Sequence, residues 1–115
     1  LNTEKIQAKL RRFAQERDWE QFHSPKNISM ALMVEAAELL EHFQWLTQEA
    51  SSELDTEKLS AVADEIADVQ IYLCRLADVL NIDIKDAVER KMKSNEAKYP
   101  ADKVRGKAKK YTEYR

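Results

Sequence analysis

Residues 59–80 read LSAVADEIADVQIYLCRLADVL, and this stretch decides the fold. Leu59, Val62, Ile66, Val69, Leu73, Leu76 and Leu80 recur at alternating spacings of three and four over three heptads. That period puts them on one stripe of a helix. It suits packing against near-parallel or antiparallel neighbours at about 20°. A second line, Ala61, Glu65, Asp68, Tyr72, Arg75 and Val79, runs beside the first, so two acids stand at the edge of an apolar seam.

The rest of the chain extends the helical pattern in both directions. A first helix is expected from Thr3 to Arg17, with Ile6, Leu10 and Phe13 at helical spacing. Asp18 to His23 is a connection that holds two large aromatics, Trp19 and Phe22. Ser24-Pro25 is a helix start, Ser as cap and Pro at the first position, and the second helix should reach Trp45 or Leu46. Thr47 to Asp55 reads as a polar loop. Asn81 can close the third helix in a left-handed conformation. Asp83 with Asp86 opens a fourth, which carries Ile84, Val88 and Met92 and stops at Tyr99-Pro100.

One glycine and two prolines in 115 residues leave little room for tight turns, and no strand-like alternation is present. The expected fold is all-α, an antiparallel four-helix bundle over residues 1–100 followed by a basic tail, 101–115. The third helix has two stripes to cover and the chain is small. One stripe should therefore pack against another subunit, completing the bundle as a homodimer or homotetramer.

Charge and composition exclude several classes. The net charge of −2 hides six Lys or Arg against two Asp or Glu in 101–115, a local +4 that leaves −6 on the first hundred residues. A nucleic-acid role is disfavoured by that acidic majority. No apolar run approaches the ~20 residues that span a bilayer, and the start does not resemble a secretory signal. The lone Cys74 sits in an apolar helical stretch, which argues against disulfides and structural zinc, so a cytoplasmic setting is expected.

The chemistry lies in two matched motifs, Glu35-Ala36-Ala37-Glu38 and Glu65-Ile66-Ala67-Asp68. Acids three apart share a helix face, and none of the four has a Lys or Arg three or four residues away. Carboxylates so crowded among apolar residues repel one another unless a cation joins them. Four oxygen donors with no His or Cys at ligand spacing suit Mg²⁺, with Mn²⁺ as its substitute. A di-iron bundle would need Glu-x-x-His on two helices. Here Glu38 and His42 are four apart, and the Glu20/His23 pair lies in a loop. Magnesium commonly completes its shell with substrate phosphates, and the chain has no glycine-rich phosphate loop.

These motifs, together with 13–23 (FAQERDWEQFH), Phe43-Gln44-Trp45, Asp68 to Leu73, Lys91-Met92, Asn95, Tyr99-Pro100 and Lys110 to Glu113, resemble the MazG-like nucleotide pyrophosphohydrolases. The likeness runs in order over nearly the whole chain and is nearest to the dCTP pyrophosphatase branch. It implies Mg²⁺-dependent hydrolysis of a nucleoside triphosphate to the monophosphate and pyrophosphate, in nucleotide house-cleaning. It assigns metal binding and catalysis to Glu35, Glu38, Glu65 and Asp68. It also places Trp19, Glu20, Gln21, Phe22, His23, Trp45 and Tyr72 around the nucleoside, with Lys91 and Asn95 near the phosphates or sugar. That branch often has a histidine in the first helix where this chain has Leu10, so only a modest preference among bases is expected.

The residues support these assignments unequally. Trp19 reads either as an aromatic plate for a base or as a plug that fastens its loop. Tyr72, one turn beyond Asp68, points along the metal face, whereas Asn95 as a helix residue needs no special role. A helical interaction module without catalysis, its acids meeting a partner's basic surface, is the competing reading.

Overall fold

The structure, a computed structural model, describes residues 1–108, and no strand occurs among them. Helix α1 spans Thr3–Glu16 and starts where Asn2 Oδ1 accepts the Lys5 N–H at 3.1 Å. It ends on Asp18, whose φ of 53° is left-handed. The Asp18 and Trp19 N–H groups turn back onto the carbonyls of Gln15 (3.1 Å) and Ala14 (2.9 Å), closing a Schellman motif. A single 3₁₀ turn, Glu20–Phe22, follows.

Helix α2, Pro25–Glu41, begins as expected, with Ser24 Oγ accepting the Asn27 N–H at 3.1 Å. It stops short of the expected Trp45 or Leu46. The His42 and Phe43 N–H groups bond three residues back, to Leu39 (3.3 Å) and Leu40 (2.9 Å), which tightens and ends the last turn. The segment expected as a plain loop then holds a one-turn helix, α3 (Gln48–Ser51). Thr47 needs an extended backbone to cap α3 through its Oγ1, and a continuous α2 would deny it that conformation.

Helix α4, Thr56–Val79, is capped by Asp55, whose Oδ1 accepts the Lys58 N–H at 2.8 Å. It ends on Asn81 at φ 56°, with Ile82 N–H bonded to Ala77 O at 2.8 Å, a second Schellman closure. Helix α4 packs against both α2 and α1. His23 ahead of α2 meets Arg75 late in α4, while Glu35 in α2 meets Glu65 in mid-α4, so these two helices run antiparallel. Gln7 pairs with Cys74 and Arg11 with Asp78, so α1 runs alongside α4 in the same direction.

The buried apolar residues are few and small: Ala14, Ile28, Val62, Cys74 and Ala77. The heptad stripe on α4 is divided. Val62 is buried and Val69 and Leu76 half-buried, but Leu59, Ile66, Leu73 and Leu80, spaced by sevens, are 42–55% exposed. The second line is the one turned inward: Arg75 is buried, and Tyr72 and Val79 are half-buried. The uncovered stripe is therefore not the line with Val79 but the row through Ile66.

The chain divides into two compact units, Leu1–Ile82 and a second beginning at Asp83. The first contains α1, α2 and α4, three of the four long helices expected in one bundle. The second contains α5 (Ile84–Lys98) and the short α6 (Ala101–Val104). Helix α5 is capped as expected by Asp83, which accepts the Asp86 N–H at 3.0 Å, and carries an exposed Asp86–Arg90 pair, also 3.0 Å. The basic tail is described only to residue 108, and Lys110 to Glu113 lie outside the described residues. No described helix is long and apolar enough to cross a membrane.

Candidate active site

Antiparallel packing of α2 on α4 brings the two acidic motifs face to face. One carboxylate oxygen each from Glu35, Glu38 and Glu65 lies within 4.8 Å of the other two. Among the described residues, Glu35 Oε2 and Glu65 Oε2 are the buried side-chain polar atoms with no hydrogen-bond partner. A buried lone pair without a donor is costly.

The Glu35 carboxyl is biased toward its protonated form: its pKa is raised to about 7. Burial is the main cause, followed by the close approach and charge of Glu38, the close approach of Glu65 and the charge of Asp68. Asp68 thus stands beside the trio without belonging to it.

The donor set fits a hard divalent cation. All three groups offer oxygen, and no His or Cys joins the cluster, which disfavours a di-iron centre. Opposite ligands of an octahedral Mg²⁺ lie ~4.2 Å apart at its usual bond length, so a small rotamer closure brings the oxygens into range. A cation there would give the two orphaned oxygens their missing partner.

Beside the acids opens a cavity of about 180 Å³. Helix α4 contributes Asp68, Ile71, Tyr72 and Arg75 to its wall, and α2 contributes Glu35. Leu10 and Phe13 of α1, with Trp19 and His23 of the connection, form the remainder. Trp19 is 44% exposed and meets the Phe13 ring edge-on, centroids 5.7 Å apart at 70°. The Arg17 guanidinium covers Phe13 at 3.6 Å from the ring centre. Trp19 is therefore partly anchored, as a plug would be, and still presents area to the cavity, as a plate would.

His23 Nδ1 accepts a hydrogen bond from Arg75 Nε at 3.1 Å. Its pKa is lowered by burial and then by the Arg75 charge, against a smaller opposing effect of Glu20. The other expected nucleoside contacts are less gathered. Gln21 bonds back to Asp18, and Phe22 is 58% exposed. Trp45, 87% exposed beyond the end of α2, is not part of the cavity wall. Lys91 and Asn95 lie on α5 in the second unit.

Four wall residues were given no binding role from sequence: Leu10, Phe13, Ile71 and Arg75. Arg75 had a visible signal, since it lies on the same helical line as Glu65, Asp68 and Tyr72.

The MazG-like family pattern matches residues 30–114, which include all four acids. The chain belongs to the MazG-like family. It is 44% identical over 103 residues to mouse and human dCTP pyrophosphatase 1, matching 88% of its own length and 61% of theirs. It thus spans about three-fifths of those curated relatives. The crystal structure of a pyrophosphatase from Archaeoglobus fulgidus superposes with a TM-score of 0.81 at 42% identity, covering 87% of this chain and 94% of that one.

Proposed function

We propose that this chain is a Mg²⁺-dependent nucleoside triphosphate pyrophosphohydrolase. It converts dNTPs, dCTP among the best, to the monophosphate and pyrophosphate in nucleotide-pool control. The observation that carries the reading is the pair of sealed, partnerless carboxylate oxygens on facing helices, beside a cavity with an aromatic wall. The relatives named for dCTP and pyrophosphate chemistry support it.

Glu35, Glu38, Glu65 and Asp68 would hold Mg²⁺, or Mn²⁺ in its place. When bound, such a cation neutralises phosphate oxygens and lowers the pKa of a coordinated water. The chain's own residues orient the substrate. Trp19 offers a face to the base, and Tyr72, between Asp68 and Arg75 on the same helix, meets the sugar. Trp45, Glu20, Gln21, Phe22, Lys91 and Asn95 enter as further substrate contacts through the family resemblance alone.

We propose further that 1–100 acts as one catalytic domain and that the working form is a homo-oligomer in the cytoplasm. The exposed row Leu59, Ile66, Leu73 and Leu80, with Met30, Met33, Val34 and Leu40 exposed on α2, is more apolar surface than two solvated helices need. The non-catalytic interaction module would turn the acids toward a partner's basic surface, but the sealed oxygens of Glu35 and Glu65 do not reach such a surface. Pyrophosphate release from a nucleotide panel, with Mg²⁺ and with chelator, separates the two. Release from dNTPs only with metal is expected, and silence across the panel would refute the enzyme reading.

A further inference from the structure

Arg75 is 6% exposed, and its guanidinium is held from two sides. Nε donates to His23 Nδ1 at 3.1 Å and Nη1 to Asp78 Oδ2 at 3.4 Å. Asp78 is itself fixed by Arg11 Nε at 2.8 Å. A guanidinium has five N–H donors, so these bonds leave three on the Nη edge without a protein acceptor among the described residues. Yet the described side-chain atoms that are both sealed and unpartnered are carboxylate oxygens, not Arg75 nitrogens. Arg75 is one of the residues that line the cavity beside the acids, so its spare donors are placed to meet a molecule that enters there.

Its position along α4 indicates what it meets. Arg75 lies seven residues beyond Asp68 and ten beyond Glu65, a rise of about 10 and 15 Å along the helix. Glu35 and Asp68 line the same cavity, and phosphates held at those acids would leave its Arg75 end to the rest of the nucleotide. Arg75 shares its end with His23, at hydrogen-bond distance, and lines the same cavity as Trp19.

We propose that Arg75 is a specificity-determining residue, its spare Nη edge donating to two adjacent acceptors on the nucleobase, O2 and N3 of cytosine. This rests on the nucleotide reading above and supplies the polar contact that Leu10 cannot. Uracil and thymine present an N3–H at the same place, so donor would face donor in a buried site. The rigid fork of a guanidinium suits a paired acceptor better than a lysine ammonium does. A cavity of about 180 Å³, below the usual size of a complete ligand pocket, matches a single-ring base. His23 and Asp78 are positioning residues. With Nδ1 as acceptor His23 is the neutral, Nε2–H tautomer, and burial with the Arg75 charge keeps it so.

The test compares kcat/KM for dCTP and dUTP in wild type, Arg75→Gln and Arg75→Lys, with calorimetric binding of dCMP and dUMP alongside. Wild type should prefer the cytosine nucleotides by roughly tenfold to a hundredfold. Both variants should bring the ratio near one, mostly through KM. Arg75→Gln should gain on dUTP, because an amide oxygen accepts from N3–H. Asp78 keeps its Arg11 partner in both variants, and Arg75→Lys keeps the charge, which guards against simple misfolding.

Equal losses on both substrates with the ratio unchanged would mark Arg75 as structural and overturn the proposal. Loss of inorganic pyrophosphate binding with no change in base preference would reassign it to the phosphates and overturn it too. If the wild type turns over no nucleotide, the pyrophosphatase reading falls instead, and the dCMP-to-dUMP binding ratio still judges Arg75.

Discussion

The proton on Glu35 makes a quantitative prediction about the metal. With a pKa of about 7 this carboxyl is half-protonated at neutral pH, and a cation can use its buried oxygen only after the proton leaves. Apparent affinity for Mg²⁺ or Mn²⁺ should therefore rise about tenfold from pH 6 to pH 8, steeply below 7 and little above it. Binding at pH 6 should expel about 0.9 proton per site, at pH 7 about 0.5, and at pH 8 about 0.1. Calorimetry in two buffers of different ionisation enthalpy counts these protons without any need for turnover. Glu35→Gln should weaken binding and remove its pH dependence over this range. Wild-type affinity that is flat from pH 6 to 8 with no proton released would refute the picture of a proton standing where the cation goes.

The same shift sets the stability of the metal-free protein. The folded-state pKa lies above the ordinary value of 4.5, so the stability it contributes is full below that value and lost as pH rises through about 7. Metal-free melting temperature should accordingly fall between pH 5 and 8, and less so in Glu35→Gln. Glu38→Gln should abolish most turnover while leaving the metal-free melt as high as wild type or higher, since one of the crowded charges is gone. An early melt or wild-type rate would contradict the site assignment. Ile66→Glu should shift sedimentation toward monomer, and a monomeric wild type would remove the interface. Asn81→Val should cost about 1–2 kcal/mol in urea melts, because a β-branched residue is strained at positive φ; an unchanged midpoint would show that the Schellman closure is dispensable.

Local chemistry was legible in the residues. Ser24, Asp83 and Asn81 each do what their types do at helix ends, with partners within a few positions in the chain. The acidic motifs were legible too, because a missing basic neighbour is visible in sequence. The end of α2 was not, because the tightened last turn, where His42 and Phe43 bond three residues back, has no glycine or proline to announce it. The heptad stripe was correctly helical, but a periodic pattern alone cannot say which row finds a neighbour. Ile66 and Val62 look alike until α2 and α1 are in place. Arg75 was hardest to read, since its meaning comes from His23, 52 positions away.

The unit Leu1–Ile82 has no glycine at all, yet two of its three long helices, α1 and α4, exit through a left-handed residue, Asp18 and Asn81. A glycine there would relieve the backbone while giving the unfolded chain extra freedom, two effects of opposite sign. Asp, Asn and Gly are therefore nearly interchangeable at these corners. Val, Ile and Thr are not, because their branched Cβ resists a positive φ. Sequence drift along this fold should accordingly be discontinuous. The helices can accept many apolar exchanges, while two single positions, one of them at the turn between α1 and α2, pass only a narrow alphabet.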